Sequence, residues 1–180
     1  GKIASLKSLQ KSFKTKVKVH PDDIELVEKK KRLADLDVRK DFKKISSLKL
    51  VYNDVVKKIN FENSEGRRFE WDDVIVGCVA QAFSKEGTVS ENFYEGEHRH
   101  AGYEVMESGP ELVKNALKMA TEMLKAKHVV AGNVPVLLDQ KLGGVFAHEA
   151  VGHGCEADIV LQGGSILKDK LNKKIASEVL

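Results

Sequence analysis

The feature that most constrains the fold is a long β-favouring stretch over residues 45–105. Its first half alternates apolar and polar residues, as at Leu48 and Leu50. Two four-residue segments, 63–66 and 84–87, end in glycine between these runs, as the loops of β-hairpins do. The pattern predicts an antiparallel sheet of three or four strands.

Helix signals lie on both sides of this stretch. Pro21, followed by two acids, predicts a first helix over residues 21–41, because proline and acids suit the first turn of a helix. Pro110 begins a second helical pattern, which runs to about residue 127 with apolar residues at helical spacing. A third helix is predicted over residues 142–153.

These elements predict an α+β fold with two domains. Residues 1–129 form an N-terminal domain of helices and antiparallel sheet. A short buried strand at 134–138 and the third helix then open a second domain, residues 130–180. Residues 157–161 fit no single element.

Composition narrows the class of protein. Hydrophobic residues make up 42% and charged residues 32%, and no apolar run approaches the roughly 20 residues that span a bilayer. The N-terminal lysines are not followed by the apolar core of a secretory signal. Two cysteines are too few for a disulfide framework, which favours a cytoplasmic setting. Because the chain lacks an initial methionine and stops at Leu180 in mid-pattern, we expect it to be a piece of a longer protein.

The N-terminal lysines raise the question of nucleic-acid binding. Six lysines lie between Lys2 and Lys18, and the net charge is +3. Phe13 is the one aromatic residue among them, whereas a nucleic-acid groove needs stacking platforms as well as charge. The pattern favours a solvated, lysine-rich helix face or tail, and no direct contact with nucleic acid is expected.

One motif carries chemistry. His148 and His153 flank Glu149 within a run of small and apolar residues. Neutral imidazole is a good zinc ligand, and a glutamate beside a bound metal can take a proton from metal-held water. The group therefore indicates metal-assisted hydrolysis. The alternative is that His148 caps a helix or packs in a core while His153 lies in a loop.

The spacing of the two histidines makes a physical prediction. They are five residues apart, which separates them by about 140° around a straight α-helix. Both can reach one metal ion if the helix bends, unwinds or contains a π-bulge. Gly152 and Gly154 surround His153 and permit such a distortion. The helix is therefore predicted to kink or end near Gly152.

The run 148–158 resembles the metal motif of the TldD/PmbA family, in which an H-E-x-x-x-H helix is followed by a glycine, an acid and an aspartate. The resemblance extends from about Val56 to the C-terminus. It implies that His148 and His153 bind zinc and that Glu149 is the general base. It also implies a third zinc ligand, a cysteine, far downstream and beyond residue 180.

A catalytic zinc site needs about three protein ligands plus water. We therefore expect these 180 residues by themselves to hold zinc weakly and to be inactive. Glu156 and Asp158 are the alternative third ligands within the chain. Cys155 is interpreted as a small buried thiol, although it too becomes a candidate ligand if the site closes within these residues.

The resemblance implies a zinc-dependent peptidase that acts on unfolded or flexible peptides, in peptide maturation or degradation. It also implies the catalytic subunit of a homodimer, or of a heterodimer with a related subunit that lacks the motif. The alternative is a non-catalytic fragment or assembly subunit with an incomplete metal site. A third possibility is regulation of DNA topology, a role attached to members of this family, which salt-dependent DNA binding would test.

The remaining histidines and the second cysteine are given structural roles. His98 and His100 are expected in a solvated strand or loop, and Cys78 in the core. His20 is placed at a helix start and His128 at a helix end, where a positive charge is favourable.

Overall fold

The computed structural model describes residues 7–177, which divide into two compact units, the first ending at His128 and the second beginning at Val129. The first unit contains a four-stranded sheet with helices, and the second contains helical segments. The α+β class is therefore confirmed. Within the described residues, no helix has the length and apolar character that crossing a membrane requires.

Strand β3 (Arg67–Glu86) forms the centre of the sheet. Strand β2 (Ile45–Glu62) pairs antiparallel along one edge of it, and β4 (Val89–Arg99) pairs antiparallel along part of the other. The predicted antiparallel pairing is confirmed. Strand β1 (Leu9–Lys14) shares the edge used by β4 but runs parallel to β3, a pairing that the sequence did not predict.

Strand β1 corrects the interpretation of the N-terminal lysines. Lys11 and Lys14 lie in this strand, not on a helix face or in a tail. The strand is held by its ladder to β3 and by Phe13, whose ring stacks on that of Trp71 at 6.1 Å between centroids. Lys2 lies outside the described residues.

The first predicted hairpin loop, residues 63–66, is present, whereas the second turn lies at Gly87 and Thr88, because residues 84–86 of the predicted loop belong to β3. Gly66 and Gly87 have φ values of 76° and 60°, the left-handed region that glycine enters without strain. In the first loop, the side-chain oxygen of Asn63 accepts the backbone N–H groups of Glu65 and Arg67, at 3.1 and 3.0 Å. The loops therefore fix the register of β2 and β4 against β3.

The first predicted helix is shorter than expected. Residues Pro21–Asp23 form a separate 3-10 turn, with His20 at its N-terminal end as predicted. Ile24 is extended, so helix α1 begins only at Leu26 and runs over Leu26–Asp35. The prediction of one helix over 21–41 was wrong because the apolar pattern did not reveal this break.

Helix α2 (Gly109–Met123) builds the core of the first unit. Its buried residues pack against small side chains of β3, including Cys78, which is fully buried as predicted. The hydroxyl of Ser84, also buried, donates to the carbonyl of Ala120 at 2.6 Å. The helix ends at Met123, before the predicted residue 127, and His128 therefore lies beyond the helix instead of at its end. The buried face consists of Gly109, Leu112, Val113, Ala116, Leu117 and Ala120.

The second unit corrects one predicted element. Residues 134–138 form no strand, and Val136 and Leu137 are 72% and 98% exposed. Five apolar residues make a buried strand only when a neighbouring strand satisfies their backbone groups, and no described strand pairs with them. The helical segments α3 (Gln140–Ala147) and α4 (Ala157–Leu161) follow, the latter in the stretch that the sequence left unassigned.

The carboxylate of Glu104 ties the chain before α1 to the turn before α2. Oε1 accepts the backbone N–H groups of Lys18 and Gly102 at 3.1 and 3.0 Å, and Oε2 accepts that of Val19 at 3.1 Å. Partial burial alone would raise the pKa of Glu104, but the backbone N–H donors outweigh this effect and lower it to about 2.

We predict that Glu104→Gln destabilises the first unit by about 1 kcal/mol, because charge-assisted hydrogen bonds become weaker neutral ones in a site that solvent partly screens. The contribution of Glu104 is complete above its unfolded pKa of 4.5 and is lost as the pH falls toward about 2. Urea unfolding of both proteins at several pH values between 3 and 7 measures the difference in their free energies of unfolding. Glu107→Gln, an exposed acid in the same turn, is the matched control, and equal effects of the two changes would contradict the prediction.

Candidate metal centre

The two motif histidines are brought together by a π-helical turn. Helix α3 begins where the side chain of Asp139 accepts the backbone N–H of Leu142 at 2.8 Å. After Ala147 the backbone widens, and over His148–Gly152 it forms a π-helix in which the N–H of His153 donates to the carbonyl of His148. This i→i+5 bond is the defining contact of a π-helix. The predicted departure from a straight helix near Gly152 is therefore confirmed.

The turn places the histidine rings in contact. The ring centroids of His148 and His153 lie 4.7 Å apart at an interplanar angle of 78°. Oε2 of Glu149 lies 3.6 Å from Nε2 of His153. One donor atom from each of the three residues lies within 4.8 Å of the others. The structure thus brings the three predicted site residues together, and none of them is buried in a core.

The donor set fits a zinc ion. Two imidazole nitrogens and a carboxylate oxygen are ordinary ligand atoms for zinc. In a tetrahedral site, bonds of about 2.0–2.1 Å place neighbouring donor atoms about 3.4 Å apart. The separation of 3.6 Å between Oε2 of Glu149 and Nε2 of His153 is close to that distance, and one donor atom of each residue lies within 4.8 Å of the others. The side chains of His153 and Glu149 are 46% and 62% exposed, so water and a substrate can approach them.

A fourth residue contacts the site without joining the donor group. Oε1 of Glu156 lies 2.6 Å from Nδ1 of His153. This hydrogen bond and the charge of Glu156, with a smaller contribution from Glu149, raise the pKa of His153 above its ordinary value. Sequence reasoning considered Glu156 only as a possible ligand. Its spacing of three residues from His153 was the available signal for a contact between the two side chains.

The structure places the other residues discussed as ligands elsewhere. Cys155 is exposed, so its interpretation as a buried thiol was wrong: it ends a 3-10 turn (His153–Cys155) on the surface of the second unit. Asp158 accepts the backbone N–H of Ile159 at 2.9 Å. Among the described residues, the donor group therefore consists of His148, Glu149 and His153.

The glycines around His153 contribute differently from the expectation. Gly152 has ordinary right-handed helical angles, φ −55° and ψ −60°, and a Cβ added to it would lie 3.8 Å from Nδ1 of His148. The π-turn therefore does not depend on the conformational freedom of this glycine. A Cβ on Gly154 would lie 2.9 Å from Cδ1 of Leu167, so Gly154 permits the close packing of a downstream side chain.

The histidines of the first unit have separate partners. His98 lies at the end of β4, where Nε2 contacts the side-chain oxygen of Asn53 at 3.0 Å. Nδ1 of His100 lies 2.7 Å from the carboxylate of Asp73. Both histidines are exposed, which confirms the prediction of a solvated strand or loop.

Two family models match this chain, one in each unit. Residues 19–124 match the family model described as the PmbA/TldA metallopeptidase central domain, and residues 131–180 match that of the PmbA/TldA metallopeptidase C-terminal domain. The second match contains the whole π-turn.

Three relatives illustrate the similarity. Metalloprotease MJ0996 of Methanocaldococcus jannaschii is 36% identical over 181 residues, which cover 98% of this chain and 39% of that protein. A metalloprotease of Archaeoglobus fulgidus is 32% identical, with 92% and 39% covered. A zinc metalloprotease TldD homolog of Saccharolobus solfataricus is 31% identical, with 76% and 30% covered. The chain thus spans at most 39% of the length of each of these relatives.

We predict that Gly152→Ala preserves the metal centre and raises the free energy of unfolding by up to about 1 kcal/mol, because alanine favours helical backbone and its methyl group meets no close neighbour. The zinc content and the thermal denaturation of the whole protein measure the two effects. Gly163→Ala is the contrasting control: Gly163 has a φ of 79°, where a side chain costs about 1–2 kcal/mol. Loss of zinc in Gly152→Ala alone would show that the turn requires glycine.

Proposed function

Because this chain belongs to the TldD/PmbA metallopeptidase family, we propose that the whole protein is a zinc-dependent peptidase in which His148 and His153 hold the metal and Glu149 is the general base. The observation that carries the proposal is the π-turn, which gathers these three side chains into one exposed group. The name of the Saccharolobus solfataricus relative, a zinc metalloprotease, supports the choice of metal.

The three residues have two different roles in the proposed site: the histidines are metal ligands and the glutamate is the base. The imidazoles offer neutral nitrogen ligands, so each must be deprotonated at its metal-facing atom. When bound, zinc supplies a Lewis acid that polarises a carbonyl group and lowers the pKa of water. Glu149 is adjacent to a ligand and exposed, and its carboxylate accepts a proton from water and returns it to the leaving amine.

A third protein ligand completes the proposed site. Two histidines leave a catalytic zinc one ligand short, and Glu149 cannot act as a ligand and as a freely moving base at once. The resemblance to the TldD/PmbA family implies a cysteine from far downstream as the third ligand, and we propose that residue for this position. The 180 residues by themselves are then a weak zinc binder without peptidase activity.

The proposed substrates are unfolded or flexible peptides. Backbone carbonyls of a folded protein are engaged in its own hydrogen bonds, whereas an extended peptide can present one to an exposed group such as this. The resemblance to the TldD/PmbA family implies a homodimer, or a heterodimer with a related subunit that lacks the motif. Because the chain carries the complete H-E-x-x-x-H motif, we propose that the whole protein is the catalytic subunit. The small number of cysteines supports a cytoplasmic setting.

We predict that Glu149→Gln in the whole protein retains stoichiometric zinc but lowers kcat on an unstructured fluorogenic peptide by about 10²–10⁴-fold, because the amide cannot accept the proton. Asp169→Asn, which removes the charge of an exposed acid outside the motif, is the control and should keep full activity. Loss of zinc would make Glu149 a ligand, and unchanged activity would exclude it as the base.

We also predict that the whole protein contains one zinc per chain, whereas the 180 residues prepared identically contain little, because the third ligand is missing from them. Metal analysis by mass spectrometry measures both. Stoichiometric zinc in the 180 residues would show that the site closes within them. Absence of zinc from the whole protein would favour the non-catalytic alternative.

A further inference from the structure

We propose that Glu156 is a positioning residue of the metal centre: its carboxylate fixes the tautomer and ring orientation of His153, so that Nε2 faces the metal beside Glu149. This inference rests on the proposed function, because it takes His153 to be a metal ligand. It concerns a residue that the sequence presented only as an alternative ligand.

The two nitrogens of His153 face two different carboxylates. Nδ1 lies 2.6 Å from Oε1 of Glu156, a short hydrogen bond. Nε2 lies 3.6 Å from Oε2 of Glu149, beyond the range of a good hydrogen bond. The ring is therefore held on its Nδ1 side, while its Nε2 side opens toward Glu149 in the donor group.

The chemistry of the contact determines which nitrogen is free. An ionised carboxylate only accepts hydrogen bonds, so Nδ1 of His153 must carry the proton that it donates to Glu156. In the neutral ring, Nε2 then keeps its lone pair. Metal-binding histidines commonly donate their other ring N–H to a carboxylate in this way, which fixes the tautomer and makes the ligand more basic.

The backbone holds Glu156 in place for this role. Its N–H donates to the carbonyl of His153 at 3.2 Å, and its own carbonyl accepts the N–H of Val160 at 3.0 Å, in the first turn of α4. Two residues earlier, the carbonyl of Gly154 accepts the hydroxyl of Ser165 at 2.5 Å. Hydrogen bonds to the backbone at Gly154, Glu156 and Val160 therefore fix the short segment that carries this carboxylate.

The same geometry argues against Glu156 as the third ligand. Oε1 is engaged on the Nδ1 side of the ring, opposite the nitrogen that faces the donor group, and Glu156 is outside that group. A role through His153 accounts for the short contact, whereas direct coordination would require it to break. The side chain is 46% exposed, so substitutions at this position should not unfold the second unit.

The test compares Glu156→Ala, Glu156→Gln and, as the control, Asp169→Asn, an exposed acid outside the motif, in the whole protein. Long-range ¹⁵N NMR of labelled histidine, on metal-free protein at a pH where His153 is neutral, reports the tautomer directly. Competition with a chelator reports the Kd for zinc. Glu156→Ala should lose the excess of the Nδ1–H tautomer and weaken zinc binding by about 10–100-fold. Glu156→Gln keeps an acceptor oxygen and should retain the tautomer with a smaller loss of affinity, and the control should match the unsubstituted protein.

Two outcomes would overturn the inference while leaving the proposed function intact. If the unsubstituted protein binds zinc and Glu156→Ala changes neither tautomer nor Kd, Glu156 does not position His153. If both substitutions weaken zinc binding to the same extent, and both change the visible spectrum of the cobalt-substituted protein, Glu156 is itself a ligand. If the unsubstituted protein binds no zinc, the proposed function fails and this role fails with it.

Discussion

The first unit depends on one strand, β3, which pairs with each of the other three strands. Its twenty residues give β2 a partner along one edge and divide the other edge between β1 and β4. Small buried side chains on this strand, Cys78, Ala80 and Ala82, let helix α2 approach closely, and the hydroxyl of Ser84 bonds a carbonyl of that helix. Strand β3 therefore bonds to neighbours on both edges and packs against the core on one face. Because a shift by one residue would break both sets of contacts, the neighbouring strands have little freedom of register.

The candidate metal centre depends on a different constraint, a single backbone hydrogen bond from His153 to His148. An α-helix pairs residues four apart, and a spacing of five turns the second histidine away from the first. Widening the turn to an i→i+5 bond brings it back, at the expense of weaker local geometry, which is why such turns are rare and concentrate at functional sites. In this chain the turn is bounded by the capped helix α3 on one side and by the anchored segment around Glu156 on the other.

The backbone conformation therefore sets the positions of the side chains in this site. The same short stretch sets the distance between the two imidazoles, places Glu149 next to one of them, and presents Glu156 to the opposite nitrogen of His153. Two carboxylates thus face different atoms of one ring. In the proposed site, Glu149 is available to the reacting groups and Glu156 holds the ring that binds the metal.

The sequence by itself determined the features that depend only on residues close together in the chain. Glycine-ended loops and alternation predicted the hairpins, the histidine spacing predicted the break in the helix, and the identity of three side chains predicted the donor group. Tertiary structure decided what depends on a distant partner: the parallel pairing of β1, the exposure of residues 134–138, and the surface position of Cys155. An apolar run becomes a strand only if another strand lies beside it, and a cysteine is buried only if something covers it. Local spacing fixes which side chains can meet, whereas the contacts of the folded chain fix which of them do.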